Sequence, residues 1–243
     1  MGIPKILFLD LETTPNKGYF WTLWVDGMLG HENVIEQKTM LSASWAWNDE
    51  KEVHSASIDI KKPKDDYQLT KTVIEVIAEA DAVVAHNGDQ FDMKWVYARA
   101  AFHRLPPPPP VIQIDTKKLA KLRFNFNSNR LDALAQFFGI GKKIKTDFDL
   151  WKECLEKNPK ALDKMVKYNK HDILLLRGVY AVLRPYVPAR LNRQLFGSAE
   201  SCSACGSNRI QYRGFHYTTA NKYRRFQCTA CGHWDHSRKA EKR

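Results

Sequence analysis

The sequence predicts a mixed α/β fold, a sheet covered by helices, followed by a small metal-binding module. Short apolar runs come first as a meander and then alternate with amphipathic segments, an order typical of a sheet flanked by helices. Apolar residues make up 44% of the 243 residues, which is enough for a sizeable core. Four of the five cysteines form two Cys-x-x-Cys pairs near the end, a pattern typical of a metal site.

The strands and helices are predicted from the period of the apolar residues and from the residues that begin or end each element. The predicted strands are Lys5–Asp10, the hairpin Met40–Asn48 with Glu52–Asp59, Ala82–Ala85 and Val111–Ile114. The predicted helices are Leu69–Ala80, Phe91–His103, Leu131–Phe138 and a long one from Pro159 to about Leu183. Asn158 and Pro159 supply an N-cap and a first-turn proline, and Gly139 closes the third helix. The consecutive prolines Pro106–Pro110 cannot be helical and predict a stiff connector.

The composition changes near the second proline after the long helix. We expect a first domain over residues 1–187, a linker over 188–200 and a small module over 201–243. From Pro188 to the end there are eleven Lys and Arg against three Asp and Glu, so most of the net charge of +11 lies there. This concentrated charge suggests a polyanionic partner, most simply nucleic acid, although a solubilising tail would look similar.

No stretch of about 18 apolar residues occurs, so we expect no membrane span. Acidic residues interrupt the first apolar run, which argues against a signal peptide and makes a cytoplasmic location the default expectation.

Residues Asn16–Gln37 fit no regular pattern and contain the aromatic residues Tyr19, Phe20, Trp21 and Trp24. Such a segment stacks on substrate bases or buries its aromatic rings against the sheet. We slightly favour the second interpretation.

Two carboxylates end the first predicted strand, where Leu11 separates Asp10 from Glu12. Because side chains alternate along a strand, the acidic groups share one face and Leu11 points away. Like charges this close are tolerated if water solvates them or a cation lies between them. Surface strands also carry such pairs, so the pattern alone leaves both interpretations open.

Two further acidic residues have both a structural and a chemical explanation. Asp92 falls in the first turn of a predicted helix, where the helix dipole favours an anion, so it is a capping residue or a ligand. Tyr168 and Asp172 are four residues apart and share one face of the long helix. The apolar stripe of that helix lies on the same face, and a buried Asp is costly without a partner. This favours a ligand role for Asp172.

Taken together, these segments resemble the three exonuclease motifs of the DEDD superfamily, which includes proofreading domains and many DNA and RNA exonucleases. The matching patterns are Asp10-x-Glu12, Asn87-x-x-x-Phe91-Asp92 and Tyr168-x-x-x-Asp172. The resemblance covers about Lys5 to Leu183 and extends to Ile114-Asp115-Thr116 and Asn129-Arg130-Leu131-Asp132. More closely, the chain is similar to phage and bacterial members with a terminal zinc ribbon. It implies a ribonuclease-H-like mixed sheet flanked by helices, plus a small C-terminal zinc ribbon.

The resemblance also implies a role for each matching residue. The metal carboxylates would be Asp10, Glu12, Asp92 and Asp172. Tyr168 would orient the attacking water, which places the chain in the tyrosine subgroup, because the histidine subgroup has His where Lys167 stands. His171 lies one step off the required face. The residues that would contact the 3′-terminal nucleotide are Leu11, Thr13, Asn87 and Phe91.

Oxygen-only ligands select hard cations such as Mg²⁺ or Mn²⁺, and two such ions about 4 Å apart can promote phosphodiester hydrolysis. We therefore expect a 3′→5′ exonuclease that releases 5′-mononucleotides from the 3′ end of DNA or RNA, most simply a single strand. An endonuclease on the same fold and a binding adaptor with a vestigial site remain open alternatives. The basic residues Lys117, Lys118, Lys121, Arg123 and Arg130 guide the strand backbone or form an ordinary solvated face.

The cysteine pairs are Cys202-x-x-Cys205 and Cys228-x-x-Cys231, and four thiolates predict one structural Zn²⁺ in tetrahedral coordination. His233 and His236 are then surplus. Between the pairs, Gln211–Tyr217 and Lys222–Cys228 predict a hairpin in which aromatic residues alternate with Arg213, Arg224 and Arg225. Aromatic residues among cations bind nucleic acid or fill the small core of the module, and we expect some of each.

Overall fold

The computed structural model describes residues 3–22, 24, 27, 30–198 and 200–241. Its strands are β1 (Ile6–Thr13), β2 (Lys17–Gly18), β3 (Val34–Glu36), β4 (Met40–Trp47), β5 (His54–Ser57), β6 (Ala82–Ala85), β7 (Ile112–Asp115), β8 (Ile210–Tyr217), β9 (Lys222–Cys228) and β10 (Trp234–His236). Its helices are α1 (Tyr67–Ala78), α2 (Asp92–Phe102), α3 (Thr116–Arg123), α4 (Leu131–Phe137), α5 (Phe148–Leu155) and α6 (Pro159–Leu183). This arrangement confirms the predicted mixed α/β class.

One five-stranded mixed sheet organises the chain, in the order β5-β4-β1-β6-β7. β1 lies at its centre, antiparallel to β4 and parallel to β6. β6 and β7 are also parallel. The carboxyl ends of β1, β6 and β7 therefore meet at one edge, where open α/β sheets usually bind their ligands.

Alternation along β1 assigns its side chains to two different layers. Ile6 and Phe8 pack into a core with the C-terminal half of α6, together with α3 and α4. Leu7, Leu9 and Leu11 pack into the opposite core with α1 and α2. Asp10 and Glu12 continue the Ile6 and Phe8 side, so the sheet carries these carboxylates on the face that α6 covers.

The helix α6 has clear signals at its start and along its length. The Asn158 side chain accepts a hydrogen bond from the Lys160 amide at 3.1 Å, and Pro159 occupies the first turn. Its apolar residues recur at helical spacing and include Met165, Ile173 and Leu176, all 0% exposed. This inward face brings Asp172 over the sheet. Within the described residues, no helix has both the length and the apolar character needed to cross a membrane.

Two features differ from the sequence-based expectations. The aromatic residues of the segment 16–37 do not pack on the sheet, because Tyr19, Trp21 and Trp24 are 75%, 102% and 92% exposed. Our preference for a buried flap was therefore wrong. The helix α3 was not predicted; it is polar apart from Leu119, Ala120 and Leu122, and Asp115 caps it by accepting from the Lys117 and Lys118 amides.

The strands β10, β9 and β8 form a separate antiparallel sheet. We refer to residues 201–241 as the C-terminal module and to β1–α6 as the body. In the module Phe226 is 1% exposed and Cys202 and Cys228 are fully buried, whereas Tyr217 is 67% exposed. Phe226 thus belongs to the small core of the module, whereas Tyr217 faces solvent.

A buried ionic cluster joins β4 to helices α1 and α2. Asp66, which is 0% exposed, accepts two 2.7 Å hydrogen bonds from the Arg99 guanidinium and one from the Met40 amide. His103 lies 2.6 Å from the same carboxylate. Burial alone would raise the pKa of Asp66, but the hydrogen bonds from Arg99, His103 and Met40 lower it below its ordinary value. Ionised Asp66 therefore stabilises the fold.

We expect Arg99→Met to lower the free energy of unfolding by about 3 kcal/mol, because it leaves a buried carboxylate without its main partner. Urea denaturation at pH 7 measures the loss. The stabilisation by Asp66 is present above its unfolded pKa of about 3.9 and is lost as the pH falls through its lower folded pKa, so the difference should shrink in acid. Lys71→Met, at an exposed position of α1, is the control and should change the free energy of unfolding by less than about 0.5 kcal/mol. Equal losses in the two variants would contradict the prediction.

Candidate active site

Three acidic side chains from distant parts of the sequence meet at the carboxyl end of β1. Asp10, Glu12 and Asp172 each offer a carboxylate oxygen, and these oxygens all lie within 4.8 Å of one another. Asp172 is 0% exposed, and its Oδ1 is buried without a hydrogen-bond partner in the described part of the chain. An unpartnered buried carboxylate oxygen beside two other carboxylates is a suitable ligand for a cation.

Small residues on the neighbouring strand make room for this group. In the antiparallel register of β1 and β4, Asp10 lies opposite Ser44 and Glu12 lies opposite Ser42. Directly opposed residues share one face of a sheet, so serines border both carboxylates. Larger side chains at these two positions would fill the space beneath α6.

Asp92 reaches the same strand from the opposite layer. It is 2% exposed at the start of α2, and its Oδ1 accepts a 2.9 Å hydrogen bond from the Leu11 amide, between Asp10 and Glu12. The turn before it needs special backbone geometry, since Asn87 has a φ of 70°. A Cβ on Gly88 would come within 2.5 Å of the Ala85 side chain. The sequence Asn87-Gly88 therefore allows β6 to turn sharply and deliver Asp92.

A second acidic residue fixes this turn from β7. The Asp115 side chain accepts a 2.9 Å hydrogen bond from the Asn87 amide while it also caps α3. It is 5% exposed. Asp115 thus connects the turn that carries Asp92 to the start of the basic helix α3.

On α6, Asn169 was missed by our sequence analysis. It is 0% exposed, and its amide donates to Asp10 Oδ2 at 2.6 Å while its carbonyl oxygen accepts from Ser42 at 3.2 Å. Asn169 and Asp172 are three residues apart and lie on the same helical face. That spacing was the available signal, and the arrangement shows that Asn169 orients the Asp10 carboxylate.

Lys143, in the loop after α4, was also missed. Its ammonium group lies 2.5 Å from Asp172 Oδ2 and 3.1 Å from the Tyr168 hydroxyl. Asp132 positions the loop by accepting a 2.7 Å hydrogen bond from the Lys143 amide. No local pattern marks this lysine, because its partners are 25 and 29 residues away in the sequence.

The electrostatics of the site follow from burial and crowding. Burial, followed by repulsion from Asp92, Glu12 and Asp172, raises the pKa of Asp10 well above its usual value. Burial raises the pKa of Glu12 to about 8 and the pKa of Asp92 to about 7. A bound cation would relieve the repulsion and release protons, as expected of carboxylate metal ligands.

Tyr168 lies beside the carboxylates and is 8% exposed. Burial and then the charge of Asp172 raise its pKa to about 12. Its hydroxyl is therefore protonated at neutral pH and can donate a hydrogen bond. His171 points elsewhere, since its ring bonds to the Lys142 carbonyl oxygen at 2.8 Å.

The residues expected to contact a nucleotide take different positions. Thr13, the last residue of β1, and Phe91, just before Asp92, are partly exposed. The Leu11 side chain is 3% exposed within the core and its amide is bonded to Asp92, so the structure does not place Leu11 where it was expected to contact a nucleotide. The Asn87 side chain accepts from the Lys117 ammonium at 3.3 Å.

A groove opens beside the carboxylates. It has a volume of about 640 Å³. Its basic and imidazole side chains are His86, Lys117, Arg130 and Lys143. Asp132 lines it as well. Cations predominate, so the groove complements a polyanion.

The four C-terminal cysteines form the second candidate metal centre. Their sulfur atoms lie within 4.8 Å of one another. The Sγ atoms of Cys202 and Cys231 are 3.7 Å apart, as are those of Cys205 and Cys228. A tetrahedron with zinc–sulfur bonds of about 2.3 Å has sulfur–sulfur edges of roughly 3.8 Å, whereas a disulfide would require about 2.05 Å. The spacing therefore fits a tetrahedral ion such as Zn²⁺.

The predicted basic residues of the module lie on its exposed hairpin. The Arg224 guanidinium lies 3.8 Å from the Tyr212 ring centroid, and the Arg225 guanidinium lies 5.3 Å from that of Trp234. Arg213 is exposed and donates to Gln211. The cations thus cover several of the aromatic faces.

The comparisons with known proteins agree with this architecture. A family model of the RNase H superfamily matches residues 31–184, which includes Asp92, Tyr168 and Asp172 but begins after β1. No curated protein matches the chain.

The solved structure of the family B DNA polymerase from the hyperthermophilic archaeon Pyrobaculum calidifontis is similar, with a TM-score of 0.54 and 14% identity. The match covers 91% of this chain and 32% of that one, so the chain spans about a third of the polymerase's length. At this identity the likeness shows the fold alone. Because the family model matches well over half of its residues, the chain belongs to the ribonuclease H superfamily.

Proposed function

We propose that this protein is a metal-dependent 3′→5′ exonuclease of the DEDD type, tyrosine subgroup, that releases 5′-mononucleotides from DNA or RNA. The observation that carries the proposal is the convergence of Asp10, Glu12 and Asp172, whose carboxylate oxygens lie within 4.8 Å. The family membership supports nuclease chemistry, and the hydroxyl of Tyr168 beside the cluster supports the subgroup.

The carboxylates fit divalent metal ions of the hard class. Their donor set is all oxygen, and one oxygen of Asp172 is buried without a partner among the described residues. Asp10, Glu12, Asp92 and Asp172 would hold two Mg²⁺ or Mn²⁺ ions, which activate water and stabilise the leaving 3′-oxygen when bound. Asn169 keeps Asp10 oriented for this task, and the Leu11 amide does the same for Asp92.

Tyr168 would orient the attacking water. Because its pKa is raised to about 12, its hydroxyl keeps its proton at neutral pH and acts as a hydrogen-bond donor, not as a general base. Thr13, Asn87 and Phe91 would position the terminal nucleotide, whereas the Leu11 amide is already bonded to Asp92. Lys117 and Arg130 in the adjacent groove would bind its phosphates.

The C-terminal module would be a zinc ribbon that adds affinity for nucleic acid. One Zn²⁺ on the four cysteines would stabilise the module, and Arg213, Arg224 and Arg225 on the exposed hairpin would contact phosphates.

A 5′-labelled single-stranded oligonucleotide with Mg²⁺ or Mn²⁺ should yield a ladder that shortens from the 3′ end. Asp10→Asn and Asp172→Asn should each reduce hydrolysis by about 10²-fold or more, because each removes a metal ligand of nearly unchanged shape. Denaturing gels with DNA and RNA substrates measure both effects.

Asp149→Asn is the matched control, because Asp149 pairs with Lys152 on an exposed part of α5 and should be silent. A single internal cut would favour an endonuclease, and binding without hydrolysis would favour an adaptor. Retention of more than about a tenth of the activity by both active-site variants would disprove the carboxylate assignment.

Tyr168→Phe should lower kcat by about 10²-fold with little change in KM, since a hydroxyl that acts mainly in the transition state does not contribute to substrate binding. Steady-state kinetics on a short oligonucleotide measure both constants. Tyr180→Phe, on the same helix and 7% exposed, is the control and should keep wild-type kcat. A change confined to KM would show that Tyr168 contacts substrate only.

Lys143→Met should tighten the binding of Mn²⁺ to the substrate-free enzyme by roughly fivefold, because a partly exposed ion pair worth about 1 kcal/mol no longer competes for Asp172. Calorimetric titration measures the dissociation constant. Lys142→Met, one residue earlier and exposed, should leave it unchanged. Unchanged or weaker binding to the Lys143 variant would show that its ammonium group does not compete with the metal.

A further inference from the structure

A second cleft lies between the body and the C-terminal module, away from the carboxylates. Its volume is about 490 Å³, within the usual range of ligand sites. Arg123 of the body and Tyr186, in the segment just after α6, line one side, and His233, Trp234 and Asp235 of the module line the other. None of these residues has a role in the proposed catalytic reaction.

Hydrogen bonds fix the two walls relative to each other. His233, which is 5% exposed, bonds through Nδ1 to the Pro185 carbonyl oxygen at 2.9 Å, just after α6. The Arg193 amide donates to the Ser203 carbonyl oxygen at 2.9 Å. Ala189 packs against the cysteine cluster. The cleft is therefore a preformed feature of the fold, which lowers the entropic cost of filling it.

The walls combine partly exposed aromatic rings with cations. Tyr186 is 64% exposed, although Phe124 supports it edge-on at 5.5 Å, and Trp234 is 46% exposed. Arg123 is exposed at the end of α3, and Arg225 lies against the Trp234 ring. The lining carboxylate, Asp235, accepts from Ser203 and lies 4.0 Å from His233. Aromatic faces beside cations are the usual means of holding unpaired bases and their phosphates.

The helix α3 connects this cleft to the catalytic groove. Lys117 at its first turn lines the groove and contacts Asn87, and Arg123 at its last residue lines the cleft. Six residues of helix span about 9 Å. At roughly 3.4 Å per stacked nucleotide, that distance corresponds to about three nucleotides. Lys121 lies between them on the same helix.

We propose that this cleft binds the single strand upstream of the 3′ end, with bases about four to six nucleotides from the terminus stacked on Tyr186 and Trp234. The direction of the strand rests on the proposed exonuclease function. The cleft then determines substrate class and length: an unpaired 3′ segment of about six nucleotides binds fully, whereas a shorter one reaches only the catalytic groove.

The test measures binding without hydrolysis, in the Asp172→Asn background, by fluorescence anisotropy of 5′-labelled 12-mer and 3-mer oligothymidylates. Trp234→Ala and Tyr186→Ala should each weaken 12-mer binding about tenfold, as loss of one stacking contact does, and leave 3-mer binding unchanged. Phe148→Ala removes an aromatic ring that is 59% exposed on α5, outside the cleft, and should have no effect.

A second experiment changes the oligonucleotide instead of the cleft, so its result does not depend on whether a cleft variant folds. A 12-mer without bases at nucleotides four to six from the 3′ end should bind the unsubstituted cleft several-fold more weakly than one without bases at ten to twelve. Equal affinity for these two oligonucleotides, or tighter binding of a fully paired duplex, would overturn the proposal. Because no hydrolysis is involved, a missing 3′ ladder would count against the exonuclease function alone.

Discussion

The crowding of half-buried and buried carboxylates at the end of β1 is the constraint on which the other features of the site depend. Asp10, Glu12 and Asp172 crowd together, with Asp92 bonded to the strand between the first two. Burial and repulsion make their ionised forms costly, as the raised pKa values of Asp10 and Glu12 indicate. A fold accepts such a cluster when a cation offsets it. Here Lys143 provides one positive charge next to Asp172.

Neighbouring residues hold the cluster in place and keep it accessible to a cation. Serines opposite Asp10 and Glu12 leave space, and Asn169 and the Leu11 amide fix two of the carboxylates with hydrogen bonds to single oxygens. The Oδ1 atom of Asp172 has no hydrogen-bond partner among the described residues. The turn at Asn87 and Gly88 adds strain and close packing, and Asp115 stabilises it from the next strand.

The parts of this arrangement that depend on local period were predictable from the sequence. Alternation placed Asp10 and Glu12 on one face, and helical spacing placed Tyr168 and Asp172 on the buried side of α6. The contribution of Asn169 could not be predicted from the sequence, because its partner Asp10 is 159 residues away. Lys143 lies in a loop whose path depends on Asp132. The helix α3 was missed because few apolar residues mark its period, and the exposed rings of Tyr19, Trp21 and Trp24 contradict the ordinary expectation that aromatic residues are buried.

Because the C-terminal module is attached at the end of α6, the length of that helix determines how far the module lies from the carboxylates. Asp172 stands eleven residues before its last residue, Leu183, a distance of about 17 Å, and the Pro185 carbonyl that holds His233 follows immediately. The distance from the acidic cluster to the four clustered cysteines therefore depends on the number of helical residues between Asp172 and Leu183. One residue added between Asp172 and Leu183 would rotate the module by about 100° around the helix axis and move it about 1.5 Å along that axis. The length of this stretch therefore determines where the module lies relative to the carboxylates.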